Sequence, residues 1–239
     1  MSSASPHATA ILLAGGSGSR MVSTVADKIL HKINEKPIFK YSIKAFLENQ
    51  QVKTIVIVYR DLEQRKALEL LTSDISSIEI CWALGGAERQ FSVWTGLQAA
   101  PDNTDIVLIH DCARPLVTAD AIKQSIAAAA THGAACVARK TTDTIKKANP
   151  HSGSPAFTLS TVDRSNLWSM ETPQVFQYEL IYNAYQHVIE TKQTITDDLS
   201  AIESNQSPVV FIPNGRANPK ITTPEDAAYI EFLINHHQL

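Results

Sequence analysis

No stretch of this 239-residue chain is apolar over the length that a membrane-spanning helix requires. Residues 1–8 are polar and supply no signal-peptide h-region. Basic excess is also missing. Twenty-one Lys and Arg stand against 24 Asp and Glu, a formal net charge of −3. That leaves no global field for nucleic acid or a membrane surface, so any bound anion must be met by a local cluster of cations. Cysteine is scarce. Cys81, Cys112 and Cys136 are odd in number, lack metal-ligand spacing, and read as reduced thiols of a cytoplasmic protein. There is no internal repeat, no convincing catalytic triad and no thiol nucleophile in a catalytic context. What is present is a hydrophobic fraction of 44%, ample for a core. The length allows one large α/β domain, and residues 1–239 are read as a single domain.

Continuous β-branched or Leu-rich runs place strands at residues 10–14, 54–59, 78–83, 105–110, 134–138 and 208–213. Runs of that kind suit parallel strands covered on both faces. Helical spacing appears in Phe39, Tyr41, Ile43, Phe46 and Leu47, and again in the Ala-rich segment 119–131. Thr223-Pro224-Glu225-Asp226 is a helix start, with Thr as N-cap, Pro in the first turn and acids against the positive end. Strand–helix alternation predicts a doubly wound, mostly parallel sheet of Rossmann-like type. Ligands of such sheets bind at the carboxyl ends of the strands.

Residues 139–168 break the alternation. A turn cluster, Asn149 to Pro155, separates Thr144-Ile145-Lys146 from residues 157–162. The pattern predicts a projecting hairpin outside the parallel core. It is either a surface loop or a dimerisation arm, and the need to cover an exposed edge favours the arm and a homodimer.

Three motifs carry candidate chemistry. The first is Ala14-Gly15-Gly16-Ser17-Gly18-Ser19-Arg20-Met21, followed by Lys28. Glycines at a strand exit let backbone N–H groups approach a ligand, and Arg20 and Lys28 add fixed cations suited to a polyphosphate. Met21 stands where a dinucleotide fingerprint needs glycine, and no Gly-Lys-Ser/Thr follows as in a P-loop. A plain β–α turn would carry the same glycines. The second motif, Gly85-Gly86-Ala87-Glu88-Arg89-Gln90-Phe91-Ser92-Val93, again leaves a strand and opens a helix. Its glycines permit close approach to a flat base, and Ser92 offers a hydroxyl; the alternative is a turn leading into an amphipathic helix. The third is His110-Asp111-Cys112-Ala113-Arg114-Pro115. Asp111 sits at the ligand-binding rim, where a lone carboxylate beside a triphosphate suits Mg²⁺. The alternative is an Asp–Arg ion pair fixing the loop. Ala113 leaves room for a ligand, His110 reads as a packing residue, and Cys112 as a small filler whose loop position also admits thiol reactivity.

These motifs, with Asp143-Thr144-Ile145-Lys146, Asp163-Arg164, Thr172-Pro173-Gln174, Thr196-Asp197-Asp198 and Lys220-Ile221-Thr222-Thr223-Pro224-Glu225-Asp226, occur in the order seen in one family. The chain resembles the 2-C-methyl-D-erythritol 4-phosphate cytidylyltransferases over about residues 8–235. The resemblance implies a nucleotidyltransferase fold with a β-arm, and cytidylyl transfer from CTP to a polyol phosphate in non-mevalonate isoprenoid synthesis. It implies that residues Gly15, Gly16, Ser17 and Gly18 wrap the triphosphate, with Arg20, Lys28 and Lys220 stabilising charge at the α-phosphate. It also implies that Ala14, Gly86, Ala87 and Ser92 contact cytosine, with Asp111 by the metal and ribose and Ala113 lining the nucleotide. Thr144, Arg164 and Lys220 would surround the polyol phosphate, with Arg114 and Thr196 reaching toward it across a subunit interface.

Two departures stand out. Family members usually read Pro-Lys-Gln around the catalytic lysine, whereas this chain reads Asp27-Lys28-Ile29, and Asp27 would lower the local positive potential. Ala14-Gly15-Gly16 is more typical of the related ribitol-5-phosphate cytidylyltransferases, which keeps ribitol 5-phosphate as the second candidate acceptor. A nucleotide-binding regulator without turnover would not need Arg20, Lys28, Asp111 and Lys220 together. A dinucleotide-dependent oxidoreductase would need the missing glycine fingerprint.

Overall fold

The structure is a computed structural model that describes residues 5–16, 27–152 and 155–237. Seven strands form its central sheet. Four of them are β1 (Ala8–Leu13), β4 (Val52–Tyr59), β5 (Glu79–Leu84) and β6 (Ile106–Asp111); the others are β7 (Ala134–Lys140), β10 (Trp168–Gln177) and β11 (Val209–Ile212). The order across the sheet is β11-β7-β10-β6-β1-β4-β5. β1 pairs in parallel with both β4 and β6, and β4 with β5. β11 runs parallel to β7, while β10 runs antiparallel to both β6 and β7. The sheet is therefore mostly parallel, as the apolar runs predict, with one antiparallel strand near its middle. Two short strands, β2 (Lys32–Ile33) and β3 (Lys36–Pro37), form a separate hairpin.

Helices cover both faces. Leu12 of β1 joins a buried cluster with Phe39 of α1 (Ile38–Leu47), Leu68 of α2 (Leu62–Thr72) and Ile122 of α4 (Ala119–His132). Its neighbour Ile11 points the other way. It packs with Val93 and Leu97 of α3 (Arg89–Gln98) and with Tyr185 and Val188 of α5 (Tyr178–Thr191). This alternation along a strand with both faces buried is what a continuous apolar run encodes. The last helix, α6 (Pro224–His237), buries Ile230 and Leu233 in a third cluster with Ile38 and Leu116.

The chain leaves β1, builds β4 and β5 on one side, then crosses back to place β6 on the other side of β1. The strand order thus reverses at β1, and the crevice at that point is where open α/β sheets bind ligands.

The hairpin is present, with boundaries that correct the sequence reading. Its strands are β8 (Lys146–Pro150) and β9 (Phe157–Thr161), paired only with each other. Asn149 and Pro150, read from sequence as turn residues, belong to β8. Arg139, Lys140 and Trp168, read as arm, belong to the central sheet. Proline at the end of an unpaired ribbon edge is tolerated because no ladder donor is needed there.

Candidate active site

Four parallel strands deliver their carboxyl ends to one place. Ala14 and Gly15 follow β1, Arg60 follows β4, Gly86 follows β5, and Asp111 closes β6. Together with Lys28 and Lys220 they line a cavity of about 460 Å³. Gly16, Ala87, Ser92 and Ala113 line it as well, so every nucleotide-binding residue expected from the sequence and described in the structure is gathered there. Ser17, Gly18 and Arg20 lie outside the described residues.

The glycines are dictated by the loops themselves. A Cβ on Gly86 would stand 2.3 Å from Phe91 Cβ, and one on Gly15 would stand 3.2 Å from the Arg60 backbone nitrogen. At Gly86 a side chain has no room, and at Gly15 it would press on the β4 exit. A Cβ on Gly16 would stand 3.6 Å from the Lys28 ammonium, so that cation sits over the glycine turn. In the second loop the Ser92 hydroxyl accepts a 3.1 Å hydrogen bond from the Gly86 N–H. The hydroxyl expected to meet a base thus also braces the backbone beside it.

Asp111 is the electrostatic centre. Lys220 Nζ donates to its Oδ2 at 2.6 Å, and Arg89 Nε lies 3.4 Å from its Oδ1. Arg89 then makes a two-pronged pair with Asp198, at 2.7 Å on each oxygen, and the Tyr185 hydroxyl donates to Asp198 at 2.6 Å. Burial pushes the Asp111 carboxyl up, but the Arg89, Lys220 and Arg114 cations outweigh it and hold it well below the usual carboxylate range. Asp111 is therefore ionised at neutral pH, as a metal ligand or ribose acceptor must be. The Asp–Arg pairing weighed from sequence is real, but the arginine is Arg89; Arg114 donates instead to the Asn218 carbonyl at 2.8 Å. Among the described residues no three His, Cys, Asp or Glu side chains come together as a ready-made metal cage. The ionised Asp111 carboxylate, in a cavity whose lining adds Glu88 and the cations Lys28, Arg89 and Lys220, fits Mg²⁺ that arrives with phosphate oxygens, since that ion takes one or two carboxylates and keeps other ligands.

Lys220 is set by a local motif. Asp226 Oδ2 accepts from the Thr222 and Thr223 backbone N–H groups at 2.7 and 2.8 Å, while Asp226 N–H lies 3.4 Å from the Thr223 hydroxyl. This reciprocal cap starts α6 where Thr223 and Pro224 predict. Ile221 N–H donates to the Ala113 carbonyl at 2.8 Å, which fixes the adjoining residue Lys220 beside the β6 exit.

His110 and Cys112 are packing residues. Both are fully buried. Nε2 of His110 lies 3.1 Å from the Arg114 carbonyl, which can only accept, so Nε2 carries the proton. Nδ1 then accepts from the Thr172 hydroxyl at 3.0 Å, and burial pushes the ring down to about 4. Burial also drives the Cys112 thiol far up, which removes the reactive alternative for that residue.

The residues expected around an acceptor are placed differently. Arg114, Thr144, Arg164 and Thr196 do not line this cavity. Arg114 lines a second cavity of about 470 Å³ with Arg139 and Glu171, and Lys220 borders both cavities. Thr144 and Arg164 are exposed at the base of the arm, where Arg164 donates to the Thr142 carbonyl. Thr196 is exposed and pairs with Ser200.

The chain matches the family 2-C-methyl-D-erythritol 4-phosphate cytidylyltransferase (IspD) over residues 8–236. It belongs to that family. The enzyme of that name from Clostridium botulinum (strain Eklund 17B / Type B) is 37% identical over 231 residues, covering 95% of this chain and 99% of the relative. The chloroplastic enzyme of Oryza sativa subsp. japonica is 35% identical over 225 residues, covering 94% of this chain and 73% of the relative. In fold, the chain is similar to 4-diphosphocytidyl-2C-methyl-D-erythritol synthase from Anaerococcus prevotii DSM 20548. The TM-score is 0.83 at 23% identity, over 97% of this chain and 100% of that one. Within this cytidylyltransferase family frame, four participants escaped the sequence reading. Arg89 and Asp198 stand inside motifs that were singled out, yet carried no role. Their partnership spans 109 positions and has no local signal. Arg60 and Gln64 lie in no motif at all.

Proposed function

We propose that this protein transfers the cytidylyl group of CTP to 2-C-methyl-D-erythritol 4-phosphate and releases pyrophosphate. The observation that carries the reading is the cavity at the reversal of strand order. There two glycine turns and the cations Lys28, Lys220 and Arg89 share the wall with the buried carboxylate Asp111. Family membership supplies the acceptor. The relatives are named for 2-C-methyl-D-erythritol 4-phosphate, which favours it over ribitol 5-phosphate.

In this reading an oxygen of the acceptor's phosphate attacks the α-phosphorus of CTP. A P–O bond forms there, the bond from the α-phosphorus to the oxygen bridging to the β-phosphate breaks, and pyrophosphate leaves with that electron pair. The nucleophile is already an anion, so no general base is needed. The obstacle is mutual repulsion of two polyanions, and catalysis consists of positioning and charge stabilisation. Gly15 and Gly16 offer backbone N–H groups to the phosphates. Arg20 and Lys28 stabilise the charge at the α-phosphate. Gly86, Ala87 and Ser92 hold the cytosine, with Ala14 and Ala113 completing the wall. Asp111 would hold Mg²⁺, which neutralises phosphate charge when bound. Lys220 borders both cavities, which supports a role for it toward nucleotide and acceptor together. Arg114, Thr144, Arg164 and Thr196 then serve the acceptor, those of the arm and the interface by way of a homodimer. No helix among the described residues is long and apolar enough to cross a membrane, and a cytoplasmic enzyme with freely diffusing substrates is the reading we adopt.

Pyrophosphate release tests the assignment. It should require CTP, a divalent cation and the polyol phosphate together. Equal turnover with ATP or GTP would remove the base-binding role of Gly86, Ala87 and Ser92.

A further inference from the structure

The residue before Lys28 is an acid where the family usually has proline, and taken alone Asp27 subtracts from the potential that a triphosphate needs. The structure shows where that charge goes. Asp27 is nearly buried. Its Oδ1 accepts from the Ile29 backbone N–H at 3.1 Å, and its Oδ2 accepts from Gln64 Nε2 at 2.5 Å. The same Oδ2 lies 3.5 Å from a terminal nitrogen of Arg60. Arg60 is also fixed by Asp61, whose Oδ2 accepts from Nε at 2.8 Å.

Gln64 ties these groups to the first glycine turn. Its amide donates to the Ala14 carbonyl at 3.1 Å, and its oxygen accepts from the Arg60 backbone N–H at 2.7 Å. One side chain therefore joins the exits of β1 and β4 to the segment that bears Lys28. Arg60 lines the nucleotide cavity next to Gly15, where an added Cβ would stand 3.2 Å from the Arg60 backbone nitrogen. The wall that departs from the family by an added acid thus also carries the Arg60 guanidinium.

We propose that Arg60 is a further phosphate-binding residue of the nucleotide site, held in place by Asp27 and Gln64. This rests on the CTP reading above and deepens it. An arginine fork held on one side by carboxylates keeps its remaining N–H donors free for phosphate oxygens, and a pre-set fork loses little freedom on binding. In this arrangement Asp27 does not simply oppose Lys28. It balances Arg60 and orients it.

Field and placement predict opposite signs for Asp27. If Asp27 acts only through its charge, D27N tightens CTP by removing an anion. If it positions Arg60, D27N weakens CTP even though a negative charge has gone. The experiment is calorimetric titration of CTP and CMP into the intact wild-type, R60Q, D27N and doubly substituted proteins, with melting temperatures confirming that each is folded. Arg60 is one-third exposed, so R60Q leaves the core untouched. We expect R60Q to weaken CTP about tenfold, the range of one hydrogen bond to a charged group, and to leave CMP unchanged. D27N should weaken CTP several-fold in the wild-type background and not at all once Arg60 is Gln. R60Q that binds CTP like the wild type overturns the inference, as does D27N that tightens CTP. Wild-type protein that binds no CTP overturns the CTP reading and this inference with it, whereas normal wild-type binding with an unaffected R60Q overturns this inference alone.

Discussion

Asp198 is fully buried, and both of its oxygens are bonded, to Arg89 on each and to Tyr185 on one. On the arm, every residue of β8 and β9 is exposed, Phe157 and Leu159 among them at 57% and 60%. The first region is completed by this chain alone. Its charges are matched by partners from β6, α3, α5 and the segment before α6, so the cavity wall is set before any ligand arrives. The second region is left uncovered by the rest of this chain. A two-stranded ribbon is marginal in water, and two large apolar side chains on it gain nothing from exposure. The difference teaches where each part of the function resides. In the proposed reading, charge stabilisation lies in a pre-set wall, while Thr144 and Arg164, proposed to serve the acceptor, stand at the base of a ribbon that we propose a second copy covers.

The strongest blow to the wall is loss of Asp198. Asp198→Ala leaves Arg89 with only its long contact to Asp111 and strands the buried Tyr185 hydroxyl. Breaking such a pair should cost about 3 kcal/mol of stability, read as a lowered denaturant midpoint. A loss under about 0.5 kcal/mol, the range of ordinary surface substitutions, would show that the wall does not depend on this pair.

Lys220→Met keeps the stem and removes the charge. Its effect should fall on kcat, with a loss of about a hundredfold or more by analogy with removal of one oxyanion donor, while CTP binding changes far less. Steady-state rates and a CTP titration separate the two. An unchanged kcat would reduce Lys220 to a structural partner of Asp111.

A smaller effect is expected from pH. His110 is neutral when folded, with its pKa lowered to about 4 against an ordinary value of 6.5. The unfolded chain therefore takes up a proton first as pH falls through 6.5, and stability is lost between there and about pH 4. By about pH 5 the loss should be roughly 2 kcal/mol. Asp111 has its folded pKa depressed, so its contribution is lost only below the ordinary aspartate value of 3.8, outside this window. Denaturant unfolding at several pH values checks this, and His110→Gln should flatten the slope between pH 7 and about pH 5.

The smallest effect on the folded chain, and the clearest on the arm, should follow from Phe157→Ser with Leu159→Ser. Both side chains are already exposed, so intramolecular stability should move by no more than about 0.5 kcal/mol. Self-association should weaken markedly in sedimentation. An intact chain that sediments as a monomer at micromolar concentration removes the arm's proposed role.

The parallel strands were legible because a strand buried on both faces must be apolar over most of its length, as β1, β4 and β6 are. β10 was not. It carries Glu171, Thr172, Pro173 and Gln174 in its middle, and its pairing with β7 is irregular between Met170 and Gln174. A proline and polar neighbours argue against a central strand when no partner is visible. The site divides in the same way. Residues at strand exits announce themselves by position, so Gly15, Gly86 and Asp111 could be found. Those that act through distant partners could not: Gln64 meets Asp27 across 37 positions and Arg89 meets Asp198 across 109. Nothing local marks a glutamine in an amphipathic helix as the tie between two loops.

The central claim is that this site moves a cytidylyl group to a branched tetritol phosphate. Its most direct test is kcat/KM for pyrophosphate release from CTP with 2-C-methyl-D-erythritol 4-phosphate and with ribitol 5-phosphate, measured side by side. The account predicts a clear preference for 2-C-methyl-D-erythritol 4-phosphate, with ribitol 5-phosphate still turning over slowly, because a pocket separates such acceptors by only about 1–3 kcal/mol. A higher kcat/KM for ribitol 5-phosphate would contradict it.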